Sequence, residues 1–222
     1  MPEKATSTSQ FNVILDIDGV MLDYTSGLFS WLAEHRNMFP SIMPHQVEHF
    51  GLHHYFDGGF SRQVYTDFSQ HEDFKNIPAY PGAQDFLRKL IKAGFDIHAV
   101  TSCGDSVSEA LRRDNLKSEL EWSHPLHVLP LGGCKAETLS QFDASRSVFV
   151  DDLYKNIEAA TEVGLETLWY KPYETMLYRD NLEHERAEKP VVGYDMLLKN
   201  IQKKALDMGF SCRPEVPDYQ PG

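Results

Sequence analysis

The chain has 222 residues, with 21 basic against 33 acidic side chains and a formal net charge of −12. That length suits one sizeable domain plus an insertion rather than two full domains, and the negative balance argues against partnership with nucleic acid or with anionic membranes. A hydrophobic fraction of 41% is enough for a globular core, yet no apolar run approaches the ~18 residues that a membrane span requires.

Residues 1–10 read as a disordered tail, polar and without the apolar stretch of a signal peptide. From Phe11 an apolar run, interrupted only by Asn12, stops at Asp16. A run this short and branched, ending at a turn signal, predicts a fully buried strand over 11–16. Between Tyr24 and about Tyr80 the chain leaves the sheet. Leu28, Trp31 and Leu32 recur at helical spacing, with Thr25 or Ser26 available as cap. Phe39 to Gly59 is broken by Pro40, Pro44, Gly51, Gly58 and Gly59, and a second helix is expected from Ser61 to His71. With no β alternation here, residues 24–80 read as a small helical insertion.

Pro81 and Gly82 open a helix with an apolar stripe of Phe86, Leu87, Leu90 and Ile91, stopped by Gly94. Phe95 to Val100 is a second buried strand and ends at Thr101-Ser102. A helix over Ser106 to Leu120 leads to a third strand, Leu126 to Leu131, followed by Gly132-Gly133-Cys134-Lys135. Ala136 to Phe142 is helical. The fourth strand, Ser147 to Val150, runs straight into Asp151-Asp152. A helix from Asn156 to Val163 ends at Gly164, and Thr167 to Tyr170 is a fifth strand. Strands alternating with helices at this spacing predict parallel β-α-β units. Beyond Pro172 the chain reads as helical, with a polar segment at Asn181 to Glu188 and an amphipathic helix near Tyr194 to Met208. The expected division is a core domain of 11–23 and 81–210, the insertion 24–80, and a flexible tail over 211–222. Cys103, Cys134 and Cys212 are odd in number, scattered, and form no C-x-x-C pair. They indicate neither a disulfide framework nor a zinc cluster, and a reducing, cytoplasmic compartment.

The chemistry gathers at strand ends. Asp16 and Asp18 stand at the C-terminal lip of the first strand, where Gly19 lets the chain bend away. Open α/β sheets bind ligands beyond the carboxyl ends of their strands. Two carboxylates there repel each other, and a divalent cation would compensate them. Thr101 and Ser102 end the second strand, Asp151 and Asp152 the fourth, and Lys135 opens the helix after the third. Singly, each has a bland reading. D-x-D-G occurs in calcium loops, a buried Thr-Ser caps strand ends, a lysine after two glycines is solvated, and paired aspartates suit a helix N-terminus. Jointly they place carboxylates, hydroxyls and one ammonium at a single edge.

This set resembles the haloacid dehalogenase superfamily of aspartate-nucleophile phosphatases. The matching pieces are D-I-D-G-V, the strand ending T-S, the isolated lysine, V-F-V-D-D, and the stretch Y-P-G-A-Q-D-F-L-R-K-L-I-K-A-G. The resemblance covers roughly residues 11 to 172. It implies an α/β fold, a Rossmannoid three-layer sandwich with a parallel sheet of about five strands and a small helical cap inserted after the first. It implies a magnesium-dependent phosphomonoesterase in which Asp16 is the nucleophile and forms an aspartyl-phosphate, while Asp18 is general acid and then base. Thr101, Ser102 and Lys135 would bind the phosphate. Asp16, the backbone carbonyl of Asp18 and Asp151 would hold Mg²⁺, with Asp152 behind them or as an alternate ligand. Members that cleave carbon–halogen bonds lack the second aspartate, so Asp18 favours a phosphatase.

The length and place of the insertion resemble the 5′(3′)-deoxyribonucleotidase branch, which stacks a nucleobase on cap aromatics. Tyr24, Trp31, Tyr55, Phe56 and Phe60 are candidates, and Tyr24 is favoured because it closely follows the catalytic loop. A nucleoside monophosphate is therefore one expected substrate, a sugar phosphate or other small metabolite a second, and a catalytically idle binding module the reading from another class. His45, His49, His53 and His54, with His71 further on, have spacings that suit a metal on one helix face, but Pro44 and Gly51 interrupt any long helix.

Overall fold

The computed structural model describes residues 10–46, 55–56, 62–173 and 189–211. Its centre is a sheet of six parallel strands in the order β3-β2-β1-β4-β5-β6. The strands are β1 (Asn12–Leu15), β2 (Asp96–Ser102), β3 (Leu126–Leu129), β4 (Ser147–Asp151), β5 (Glu166–Lys171) and β6 (Val191–Val192). Parallel pairing with helical crossovers buries both faces of the inner strands, and β1 is buried at all four residues. Its side chains alternate. Val13 and Leu15 enter the larger core, shared with α3 (Ala83–Ala93), α4 (Ser106–Leu120) and α7 (Tyr194–Asp207). Ile14 enters the smaller core on the other face, with α5 (Ala136–Leu139) and α6 (Tyr154–Glu162). The result is the expected three-layer α/β sandwich.

The sheet has six strands rather than the expected five. β6 lies in the region after Pro172, read from sequence as helical. Two residues offer no periodicity to detect, and Val191 is specified by pairing with Tyr170. The stripe of α3 also differs: Ile91 is 47% exposed, while Ala83 is buried with Phe86, Leu87 and Leu90. Helix α5 is shorter than expected, because the chain turns into a 3-10 helix, Ala144–Arg146, capped by the Asp143 side chain. Cys103 and Cys134 are free. No described helix is long and apolar enough to cross a membrane.

Between β1 and α3 the described residues form α1 (Tyr24–Arg36), a 3-10 turn (Pro44–Gln46), α2 (Arg62–Ser69) and a 3-10 helix (Glu72–Asn76). Helix α1 is capped by Asp23 rather than by Thr25 or Ser26. The Asp23 carboxylate accepts from the Ser26 backbone N–H at 3.0 Å and from its hydroxyl at 2.6 Å, satisfying donors that the first helical turn leaves open. The segment leaves and re-enters the sheet domain at one place, where Leu22 and Ala79 form an antiparallel bridge. Of the expected tails over 1–10 and 211–222, residues 1–9 and 212–222 lie outside the described residues, as do the polar segment Asn181 to Glu188 and Phe60, Cys212, His49, His53 and His54.

Candidate active site

The strand order sends β2 to one side of β1 and β4 to the other. A crevice therefore opens at the carboxyl end of β1, where crossovers diverge. The loop that follows β1 is rigidly built. The Ile17 carbonyl accepts from the N–H groups of Met21 and Leu22, and the Gly19 N–H donates to the Leu22 carbonyl. Gly19 has φ +81°, a conformation that L-residues disfavour. A Cβ there would stand 2.2 Å from an oxygen of Asp152, so the loop approaches the end of β4 as closely as a glycine permits.

A cavity of about 450 Å³ occupies the crevice, and its wall includes Asp16, Asp18, Thr101, Ser102, Lys135 and Asp152. Asp16 Oδ1 accepts from the Ile17 N–H at 2.7 Å and pairs with Lys135 Nζ at 2.8 Å, which leaves Oδ2 as the oxygen those groups do not engage. Lys135, buried at the start of α5, reaches Asp151 at 2.8 Å on its other side. Asp151 is fully occupied by protein: besides Lys135 it accepts from the Leu153 N–H at 2.8 Å and from the Asn156 amide at 3.0 Å on each oxygen. It lies behind the cavity wall, holding the lysine. Asp152 is the member of the pair that lines the cavity. Of the two hydroxyls, Ser102 donates to the Gly133 carbonyl at 3.2 Å. Thr101 Oγ1 is buried and without a partner among the described residues, so a donor waits at the wall.

Sequence reasoning missed Arg112. It is fully buried in α4, and its Nη2 donates to both oxygens of Asp18 at 2.8 Å. The signal was there in weak form: an arginine at a position of α4 whose neighbours Leu111 and Leu116 face the core.

The charges define what the site can hold. When ionised, Asp16, Asp151 and Asp152 set three negative charges against the single charge of Lys135, while Arg112 faces Asp18. Burial pushes the Asp16 carboxyl up to about 8; Lys135 opposes that rise, and Asp151 and Asp18 add to it. Burial, with Asp151 and Asp16 as neighbouring carboxylates, holds Asp152 well above the carboxylate range. Desolvation weighs on Lys135 too, but its two carboxylate partners hold it firmly charged. One ammonium cannot stabilise three buried carboxylates. Their oxygens lie within 4.8 Å of one another, and oxygen donors with two uncompensated charges fit a hard divalent cation.

Of the expected aromatics, Tyr24 lines the cavity and meets Phe68 edge-on at 5.6 Å. Trp31 and Phe56 do not line it. They are buried in the core of the helical segment, against Phe68 at 5.4 Å and Phe29 at 5.5 Å respectively. Tyr55 is half-buried and also packs there. Tyr65, Phe74 and Tyr80, which sequence reasoning did not single out, complete the aromatic wall.

No protein-family model matches the chain, and no curated protein does. Solved structures do. A haloacid dehalogenase-like hydrolase from Streptococcus pneumoniae superposes with a TM-score of 0.58 at 15% identity, over 88% of this chain and all of its own. A HAD family hydrolase from Deinococcus radiodurans, with bound phosphate and sodium, gives 0.51 at 13% identity, over 89% of this chain and 97% of its own. An L-2-haloacid dehalogenase gives 0.52 at 12% identity, over 87% and 100%. The fold is that of the haloacid dehalogenase-like hydrolases. At these identities the likeness speaks for the fold alone.

Proposed function

We propose that this protein belongs to the haloacid dehalogenase superfamily and hydrolyses phosphate monoesters, with Asp16 as nucleophile. The observation that carries the proposal is the pairing at the lip of β1. Asp16 is held by Lys135 with one oxygen unengaged, and two residues on a second carboxyl, Asp18, is braced beside the same cavity by Arg112.

Phosphoryl transfer needs an in-line nucleophile and neutralisation of the equatorial oxygens. Asp16 attacks phosphorus as the bond to the ester oxygen breaks, and Asp18 passes its proton to that leaving oxygen. The aspartyl-phosphate is then opened by water, whose proton returns to Asp18. Thr101 and Lys135 donate to the phosphoryl oxygens. Ser102, which in the described structure donates to Gly133, contributes once it turns inward. Asp16, Asp152 and the backbone carbonyl of Asp18 would hold the divalent cation, with Asp151 anchoring Lys135. Mg²⁺ is the natural choice for so few protein oxygens, and it would neutralise charge on the transferring phosphoryl group. The related fold of the L-2-haloacid dehalogenase makes halide release the competing chemistry, and Asp18 with its guanidinium brace speaks for phosphate.

Residues 24–80 act as a cap over this cavity, supported by the shared crossing at Leu22 and Ala79 and by the aromatics they present. Those aromatics favour a substrate with a planar or apolar body beyond its phosphate, such as a nucleoside monophosphate, over a bare sugar phosphate. The test is turnover of an aryl phosphate with and without Mg²⁺, followed by a panel of nucleoside monophosphates, sugar phosphates and 2-haloacids. Phosphate release that needs both Mg²⁺ and Asp16 supports the reading. Halide release without phosphatase activity overturns it, and so does binding of phosphorylated compounds with no turnover at all.

A further inference from the structure

Three metal-ligating side chains converge in the helical segment, none of them lining the catalytic cavity. His35 lies in the last turn of α1, His71 immediately before the 3-10 helix Glu72–Asn76, and Asp73 in the first turn of that helix. Asp73 Oδ2 is 2.7 Å from His35 Nε2 and 3.4 Å from His71 Nδ1. The three ligand atoms lie within 4.8 Å of one another, and the imidazole centroids are 4.4 Å apart.

The donors are held in place. Trp31, one helical turn before His35, is buried against Phe68, and its ring meets those of His35 and His71 at 6.1 and 5.8 Å. The other oxygen of Asp73 accepts from the Asn76 amide at 3.3 Å, which turns Oδ2 towards the imidazoles.

His71 Nδ1 accepts the Asp73 backbone N–H at 3.2 Å, and the same atom stands 3.4 Å from Asp73 Oδ2. That nitrogen has a single lone pair, so binding an ion there exchanges the hydrogen bond for a metal–nitrogen bond.

We propose that His35, His71 and Asp73 form a binding site for a divalent transition metal, zinc first among them, that fastens the end of α1 to the turn after α2. Two imidazoles and one carboxylate suit zinc rather than magnesium or calcium, which take oxygen donors. Ligands about 2.1 Å from a tetrahedral ion lie about 3.4 Å apart. His71 and Asp73 already have that separation. His35 must draw back by less than about 1 Å to make room for bonds of that length, and its exposed position in a last helical turn permits this. The fourth position falls to water. An ion bound only by the folded segment stabilises it by mass action.

The test is zinc titration of the full chain by calorimetry, with Mg²⁺ in excess to occupy the carboxylate site at Asp16 and Asp152. His35→Ala, His71→Ala and Asp73→Asn are compared with the wild type. Expected is one zinc per chain in the wild type, bound at least about tenfold more tightly than in any variant, with a zinc-induced rise in Tm that the variants lose. Co²⁺ should give the visible absorption of a tetrahedral nitrogen–oxygen site only in the wild type. Mg²⁺-dependent phosphatase turnover should be the same in all four proteins. Equal zinc affinity and stoichiometry in wild type and variants, as ions bound by His45, His49, His53 or His54 would give, overturns the proposal. So does the absence of any zinc binding.

Discussion

A single nitrogen of Arg112, Nη2, donates to both carboxylate oxygens of Asp18 at 2.8 Å. The other terminal nitrogen donates to Asn115 at 3.1 Å, and the guanidinium lies 4.2 Å over the Phe74 ring. Asn115 in turn donates to the Ile77 carbonyl at 2.8 Å. The proposed acid is thus braced from α4, and the brace is tied to the stretch through which the helical segment rejoins the sheet. General acid catalysis is worth about 10²–10⁴-fold, and it matters most when the leaving oxygen is a poor one. Arg112→Met should therefore lower kcat on an alkyl phosphate by about ten- to a hundredfold, and much less on an activated aryl phosphate. Arg112→Lys keeps the charge without the fork and should recover only part of the loss. Equal losses on both esters, with the fold intact by circular dichroism, would mean that Arg112 serves stability alone.

Asp16→Asn should abolish turnover while the fold persists. The amide is nearly isosteric with the carboxylate but is no nucleophile, so the loss in kcat should be about a thousandfold or more. Pre-steady-state kinetics with an aryl phosphate check the same point: a burst of the released phenol, the first product, in the wild type and none in the variant marks the covalent step. Residual activity within about tenfold of wild type is incompatible with a covalent role for Asp16.

Gly19→Ala should act through Asp152. The added methyl would meet that carboxylate at 2.2 Å, at a backbone φ of +81°. The side chain must move, and the Mg²⁺ concentration for half-maximal activity should rise by about tenfold or more. Mg²⁺ activation curves for the two proteins decide it, and superimposable curves would remove Asp152 from the cation site.

The pH dependence of stability follows from the rise of Asp16 from 3.8 to about 8 by burial. Between those values the metal-free native state holds a proton that the unfolded chain has released. Its stability contribution is therefore present at low pH and is lost as pH rises towards 8. Relative to Asp16→Asn, the metal-free wild type should lose Tm across this window. Added Mg²⁺ should restore it, by more at higher pH, because the cation takes the place of the proton. Thermal melts of both proteins with chelator and with Mg²⁺ read this directly, and parallel curves would show that Asp16 keeps an ordinary pKa.

Tyr24→Ala separates two substrate classes. Stacking of a base on an aromatic ring is worth about 1–3 kcal/mol, so KM for a nucleoside monophosphate should rise by about 5- to 150-fold. A small aryl phosphate that ends short of the ring should be little affected. Matching losses on both would assign Tyr24 to the packing of the helical segment, where it already touches Phe68.

What the sequence determined by itself were the features carried by local pattern. The buried run ending at Asp16, the strand ending at Thr101-Ser102 and the strand running into Asp151-Asp152 each announce an element and its chemical terminus within a few residues. A parallel sheet then brings those termini to one edge without further information. Tertiary structure decided whatever depends on distant partners. Arg112 and Arg113 are adjacent and alike in sequence. Helix rotation turns Arg113 to solvent beside Glu109 at 2.6 Å and drives Arg112 inward to Asp18, a residue 94 positions earlier. For the acidic pair at the end of β4, sequence names Asp151 as ligand with Asp152 behind it or as an alternate ligand. Only packing distinguishes the two, because Leu153, Asn156 and Lys135 bond to Asp151 while Asp152 lines the cavity. β6 was invisible because two residues make a strand only when β5 offers them an edge. Periodicity and turn chemistry are local and legible, whereas the burial of a charge depends on which opposite charge the completed fold sets against it.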